Sequence, residues 1–209
     1  STSNLRGPSN NLAEIVYNLL VDPLIGAGQK VSSTSVDRDA MQIAAKFCRA
    51  NGFTWDGVIG ERINIREWVF QQAAYCLLDF TIIGGRFALL PSVPYNPTTF
   101  VIDPAQQVPI SALFTDGNVR NLNVTWLSPE ERRLFKAVVS YRQEVENGFG
   151  NQKTIRIRLA DGYGGSDMDI EEAFDLTSFC TNEAQAQLFA QHALLLRREV
   201  DHSISFQTT

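Results

Sequence analysis

Leu12, Ile15, Val16, Leu19 and Leu20 fall at i, i+3, i+4, i+7 and i+8 of "NNLAEIVYNLLVDPLIGAG". This spacing lines one side of a helix, whose period is roughly 3.6 residues. Asn10 or Asn11 can cap its first free N–H groups, and Pro23 cannot continue the ladder. Gly26 and Gly28 then permit a sharp turn. The simplest expectation is a helix packed on the core of its own domain. A second helix is predicted over Asp37–Asn51, capped by Asp37, with Ala40, Ile43, Ala44, Phe47 and Cys48 on its apolar face. Asn51-Gly52 supplies its left-handed stop. "FTWDGVI" then predicts a short strand. The third helix opens at Asn64, where Asn64 and Glu67 stand as in a capping box, and buries Ile65, Trp68, Val69, Ala73 and Cys76.

"LLDFTIIGGRFALLP" places two β-rich runs on either side of Gly84-Gly85, the pattern of a hairpin with a two-residue turn. Pro91, Pro94, Pro97, Pro104 and Pro109 follow, marking a loop or a boundary between lobes. "VPISALF" and "NLNVTWL" suggest short strands, or a strand and a turn. "SPEE" at Ser128–Glu131 opens a helical turn, with a Ser cap, Pro at the first position and Glu at the third. The alternation of Phe135, Ala137, Val139 and Tyr141 turns that segment into a strand. "KTIRIRLA" alternates strictly and predicts a half-buried strand. An acidic, Gly-rich loop over 161–175 comes next. The last helix spans Asn182–Glu199, with Thr181 as cap and Glu183 in its first turn. Arg197 and Arg198 stand in its last turn, where cations complement the dipole. Its predicted apolar face is Ala184, Leu188, Phe189, Leu195 and Leu196. "HSISFQTT" returns as a strand. The order favours an α+β fold in two lobes: 1–90, a helical segment with a helix–hairpin unit; 91–110, a proline-rich connection; and 111–209, a β-rich lobe with one long helix.

The chain's 209 residues suit one or two domains able to bury a core without staples. The net charge of −5 and pI near 5.1 argue against a partner bound by neutralising phosphates. No apolar run reaches the roughly 18 residues of a membrane span. The polar opening "STSNLRGPSN" does not resemble a signal peptide. The chain begins at Ser1 rather than Met, as a processed product or an excised piece would.

Candidate chemistry is sparse. Cys48, Cys76 and Cys180 are odd in number, far apart in sequence and in apolar contexts, so they read as buried small hydrophobes of a reducing compartment. His192 has no acid or second ligand at helical spacing and reads as a partly buried structural residue; His202 is the other histidine. The carboxylates of 161–175 could hold Ca²⁺, but they lack the EF-hand pattern, and a solvated loop is the simpler expectation. Gly84-Gly85 and Gly164-Gly165 form no phosphate loop, and no GxSxG occurs. No catalytic residue, cofactor or metal ligand is assigned, and an enzyme is not expected.

Together these segments resemble the phage tail tip attachment proteins of the lambda J type. That family carries a helix of pattern N-P-A-x-x-x-Y-D-L-L-T-x-P-x-Y-G-x-G, and Asn11, Ala13, Tyr17, Leu20, Pro23, Gly26 and Gly28 occupy comparable places. Leu12 replaces the usual Pro, and Ile25 the usual aromatic. "FTWDGVI" and "INIREWVFQQAAYCLLDFTIIGGRFALLP" resemble its strand, helix and hairpin. "DLTSFCTNEAQAQLFAQHALLLRREVDHSISFQTT" is similar to its later helix and strand. The resemblance covers nearly the whole chain, and the ordered succession is its most specific feature.

What the resemblance implies is a structural virion protein, the central hub at the distal tip of a tail, assembled in the host cytoplasm. It implies a tail-hub architecture of mixed, β-barrel-like sheets decorated by helices. The implied partners are two further copies in a homotrimer, the tail tube, other tail tip or baseplate proteins, and a tail fibre. The fibronectin-like and receptor-binding parts of the long members do not lie within these 209 residues. Residues Leu19, Leu20, Trp55, Trp68, Phe87 and Trp126 are candidate interface formers, since apolar and aromatic side chains dominate interfaces and cores alike. The alternatives are a tail-associated cell-wall hydrolase and a carbohydrate-binding attachment module.

Overall fold

The computed structural model describes residues 9–107, 114–115, 117–128, 135–144, 152–159 and 170–208. Helix α1, Leu12–Val21, starts where Asn11 Oδ1 accepts from Ala13 N at 3.1 Å. The buried Asn11 amide also donates to Ala45 O at 2.9 Å, tying the cap to the next helix. Leu12, Val16 and Leu20 are buried, while Ile15 and Leu19 are half-buried. The helix ends at Asp22, whose carboxylate accepts from Leu24 N and Ile25 N in place of the missing turn. Its apolar side meets α2 (Arg38–Ala50) and α3 (Ile65–Tyr75) of the same chain.

Asp37 caps α2 through bonds from Asp39 N and Ala40 N, and Gly52 follows at φ +68°. Segment 53–59 is not a strand. Its N–H groups go to scattered partners: Thr54 N to Gln185 Oε1, Trp55 N to Asn10 O, and Asp56 N to Phe179 O. Among the described residues, no neighbouring strand supplies a ladder, so the β-rich composition serves packing instead. Asn64 precedes α3 without a side-chain cap bond, because that helix start is exposed and solvent can satisfy its N–H groups.

Strands β1 (Leu78–Ile83) and β2 (Arg86–Pro91) pair antiparallel. Gly84 and Gly85 both have positive φ, +56° and +77°, as a two-residue turn matched to strand twist requires. Residues 92–107 form no strand ladder and fold back on α2. Asn51 Nδ2 donates to Phe100 O, Asn51 Oδ1 accepts from Ile102 N, and the Tyr95 ring meets Phe47.

In the second half, β4 (Phe135–Glu144) is the centre of a three-stranded sheet. It pairs antiparallel with β5 (Gln152–Leu159) and parallel with β6 (Ile170–Asp175). Part of the stretch predicted as an acidic loop is therefore a strand. Glu172 and Phe174 are half-buried while Glu171, Ala173 and Asp175 are exposed, the two-residue alternation that the carboxylates had masked. The remainder, 161–169, the helical turn predicted after Ser128, and most of "VPISALF" lie outside the described residues.

Helix α4, Glu183–Glu199, packs on β4. Its cap is Asn182, which accepts from Ala184 N at 2.9 Å, rather than Thr181, whose hydroxyl donates to Asp56 Oδ2 at 2.6 Å. The buried side is Gln185, Ala186, Phe189, Ala190 and Leu194. Ala184, Leu195 and Leu196 are exposed, contrary to the expected face. The buried Gln185 rotates the inward stripe by one position, because its amide accepts from Thr54 N and donates towards Cys76 Sγ. Strands β3 (Val119–Trp126) and β7 (His202–Thr208) form a separate antiparallel ribbon.

The fold is mixed α+β, as expected. The β-barrel-like arrangement is not observed: the described strands form three small sheets, β1–β2, β3–β7 and β5–β4–β6, and none closes. One continuous core runs from Leu12 of α1 to Leu194 of α4 and draws on both halves of the chain. Among the described residues, no helix is long and apolar enough to cross a membrane.

Candidate functional site

The six interface candidates separate by burial. Leu20 and Trp55 are core residues. The Trp55 indole N–H donates to Gln72 Oε1 at 3.0 Å, and its ring stacks on Phe179 and meets the edge of the half-buried Trp68. Leu19 is half-buried on α1. Phe87 stacks on Phe80 at 5.8 Å and borders an open groove. Trp126 is 67% exposed.

The groove lies between α3 and the β1–β2 hairpin and has a volume of about 510 Å³. Phe80, Ile82 and Phe87 form its hairpin wall, and Phe70 stands on the helix side with Arg66 and Glu67. Ile82 is 57% exposed and Phe70 68%. Phe70 was not singled out from sequence. Its signal was its position off the α3 stripe of Ile65, Trp68, Val69, Ala73 and Cys76: a large aromatic on the side turned away from the core.

Trp126 belongs to the second apolar surface, on the β3–β7 ribbon. Val124 pairs with Ile204 and Trp126 with His202, and the alternation puts Leu122, Val124, Trp126, Ile204 and Phe206 on one side. Asn123, Thr125, Ser203 and Ser205 take the other. A bulge between Arg120 and Asn123, with Asn121 at φ +54°, gives β3 one extra residue opposite Phe206. Leu122 is 61% exposed, Ile204 50% and Val124 42%. The Trp126 ring meets His202 at 5.0 Å, and Phe114 covers Phe206 at 4.5 Å. Every residue from Arg120 to Trp126 is exposed, so the ribbon stands away from the core. Patches of large exposed apolar side chains of this extent mark interaction surfaces.

The polar groups of the interior act as ties. Asp56 accepts from Asn10 Nδ2, Thr54 Oγ1 and Thr181 Oγ1, joining the start of α1, segment 53–59 and the start of α4. Arg142 Nη2 donates to Asp56 O at 2.7 Å. The three cysteines, distant in sequence, share the core and are free. The Cys76 thiol is pushed well up by its hydrogen bond with Cys48 and by burial, with Cys180 adding to the effect. Burial also raises Cys180, whose Sγ donates to Asn182 O. The Cys76 and Cys180 thiols stay protonated, so neither is an activated nucleophile. Among the described residues, no group of three or more His, Cys, Asp or Glu side chains could hold a metal ion. Glu172 pairs with Arg197, and Asp175 accepts from Thr177, so these two carboxylates have structural partners.

His192 is half-buried, and burial holds its pKa below the ordinary 6.5, opposed by the charge of Asp79. A depressed folded pKa contributes stability above the unfolded value, and that stability is lost as pH falls from there through the folded pKa. Wild-type protein should therefore lose more stability than His192→Gln between about pH 7.5 and about pH 5. Urea midpoints at the two pH values check this; equal losses would contradict it.

No family model and no curated protein matches the chain.

Proposed function

We propose that this protein is a structural virion component, a hub at the distal tip of a phage tail. In this reading it closes the tail tube and connects it to fibres or host-attachment parts, acting as a homotrimer through shape and assembly rather than turnover. The observation that carries the reading is the β3–β7 ribbon, an amphipathic two-stranded element with its apolar side open to solvent. A two-stranded ribbon is marginally stable alone in water and gains stability when another surface covers it. The ordered likeness of helix, hairpin, long helix and final strand to the tail tip family directs that need towards a tail.

Antibody labelling of parent particles tests the reading. Label at the distal end of the tail is the expected result. Label along the side of the tail or on the head, or particles without the chain, would overturn it. The exposed Trp126 beside His202 also favours a second reading, a carbohydrate-binding attachment module, since an open indole ring can stack on a sugar. Glycan binding that is lost in Trp126→Ala would favour that reading over assembly.

A further inference from the structure

We infer that the apolar side of the β3–β7 ribbon of one copy seats in the groove between α3 and the β1–β2 hairpin of the next copy. This inference rests on the self-association contained in the hub reading and names the two surfaces that meet.

The ribbon has the properties of an arm built for another molecule. Both of its sides reach solvent, yet its alternation is that of a strand with one buried side: Leu122, Val124, Trp126 and Ile204 against Asn123, Thr125, Ser203 and Ser205. In a sheet with one covered face, the apolar set is the covered one. Among the described residues, the one ring that meets this side from outside the ribbon is Phe114 on Phe206, and Leu122, Val124, Trp126 and Ile204 remain exposed. The groove is the converse shape, a concave apolar wall of Phe70, Phe80, Ile82 and Phe87 that the chain leaves open. Its volume of about 510 Å³ accommodates an indole ring together with a branched aliphatic side chain. Arg66 and Glu67 at the groove carry opposite charges, so the net charge of −5 is not concentrated where copies meet.

The area also suits a second copy. The exposed parts of the ribbon face and of the groove wall amount together to on the order of 1,000 Å², near the lower edge of specific interfaces. A subunit in a closed ring makes this contact twice, once with its ribbon and once with its groove. Like surfaces do not satisfy the pair: two ribbons face to face leave both grooves open, and two grooves cannot fill one another. Contact between unlike surfaces is heterologous, and it propagates until a ring closes.

Mixing full-length His202→Cys chains with full-length Gln71→Cys chains, which place a thiol beside Trp126 and at the groove wall and keep both aromatic anchors, and adding a short bis-maleimide tests the contact. The native thiols are buried, and wild-type chains serve as the control. The expected product is a crosslinked pair that needs one chain of each kind. His202→Cys chains that crosslink to themselves would establish a ribbon-to-ribbon contact and overturn the inference. So would the absence of the mixed product, whether or not wild-type chains associate in sedimentation. A second variant, Trp126→Ser, should weaken self-association about tenfold or more while leaving the thermal transition of the body in place. Unchanged association would also overturn the inference. Failure here is separable from failure of the hub reading. A tail tip that labels for the chain but yields no mixed crosslink removes only the contact. A mixed crosslink with unlabelled tips removes only the hub.

Discussion

Replacing Phe179 by alanine is expected to cost about 3–5 kcal/mol of folding stability, the range for a large aromatic removed from a core. Phe179 is fully buried, stacks on Trp55 with ring centres 6.4 Å apart, and meets Tyr75 at 5.2 Å. Truncation leaves the Phe179 carbonyl bond to Asp56 N in place, so the loss is one of packing and of the cavity left behind. The residue sits where the N-terminal helices meet the segment leading into α4, and the core is continuous across that junction. The expected urea curve is one transition with a lower midpoint and an unchanged slope. Two transitions, only one of them displaced, would contradict a core shared by both halves.

Gly26→Ala is expected to cost about 2–3 kcal/mol, as strain or overpacking at a fixed site does. A Cβ at Gly26 would lie 2.2 Å from Leu19 O and 3.0 Å from Asp22 O. Both obstacles are backbone atoms held by hydrogen bonds: Ala27 N donates to Leu19 O, and Gly26 N and Gly28 N donate to Asp22 O. Neither carbonyl can retreat without giving up the turn that ends α1. A thermal transition lowered by roughly 5–10 °C is the expected reading for a chain of this size. A transition unchanged within a degree would show that the turn relaxes freely.

The elements that could be read from the chain are those decided by local chemistry. Pro23, Gly26 and Gly28 end α1, Asp37 starts α2, and the glycine pair turns the hairpin, each through a backbone requirement within a few residues. What could not be read depended on distant partners. Segment 53–59 has the composition of a strand, but its N–H groups find Asn10, Phe179 and Gln185 instead of a ladder. The inward side of α4 turns on Gln185, a polar residue that a count of apolar positions places outside. Strand β6 was hidden by its carboxylates, since its parallel pairing with β4 joins residues about 35 apart in sequence.

The candidate site divides in the same way. The alternation of Leu122, Val124 and Trp126 is visible in the chain, whereas Trp126 is a candidate there because it is a large aromatic. That the apolar side of this ribbon faces solvent is a tertiary fact, because alternation alone assigns such a side to the interior. Leu19 and Leu20 show the reverse. They resemble an open helix face, yet α1 packs on α2 and α3, so a charge at the buried Leu20 would report on folding before it reported on assembly.

The central claim, a hub at the end of a tail, is tested most directly by a cryo-EM reconstruction of the parent particle's tail tip with this chain traced. The account predicts three copies in a ring around the tube axis. A chain lying off-axis on a fibre, or missing from the particle, would contradict it.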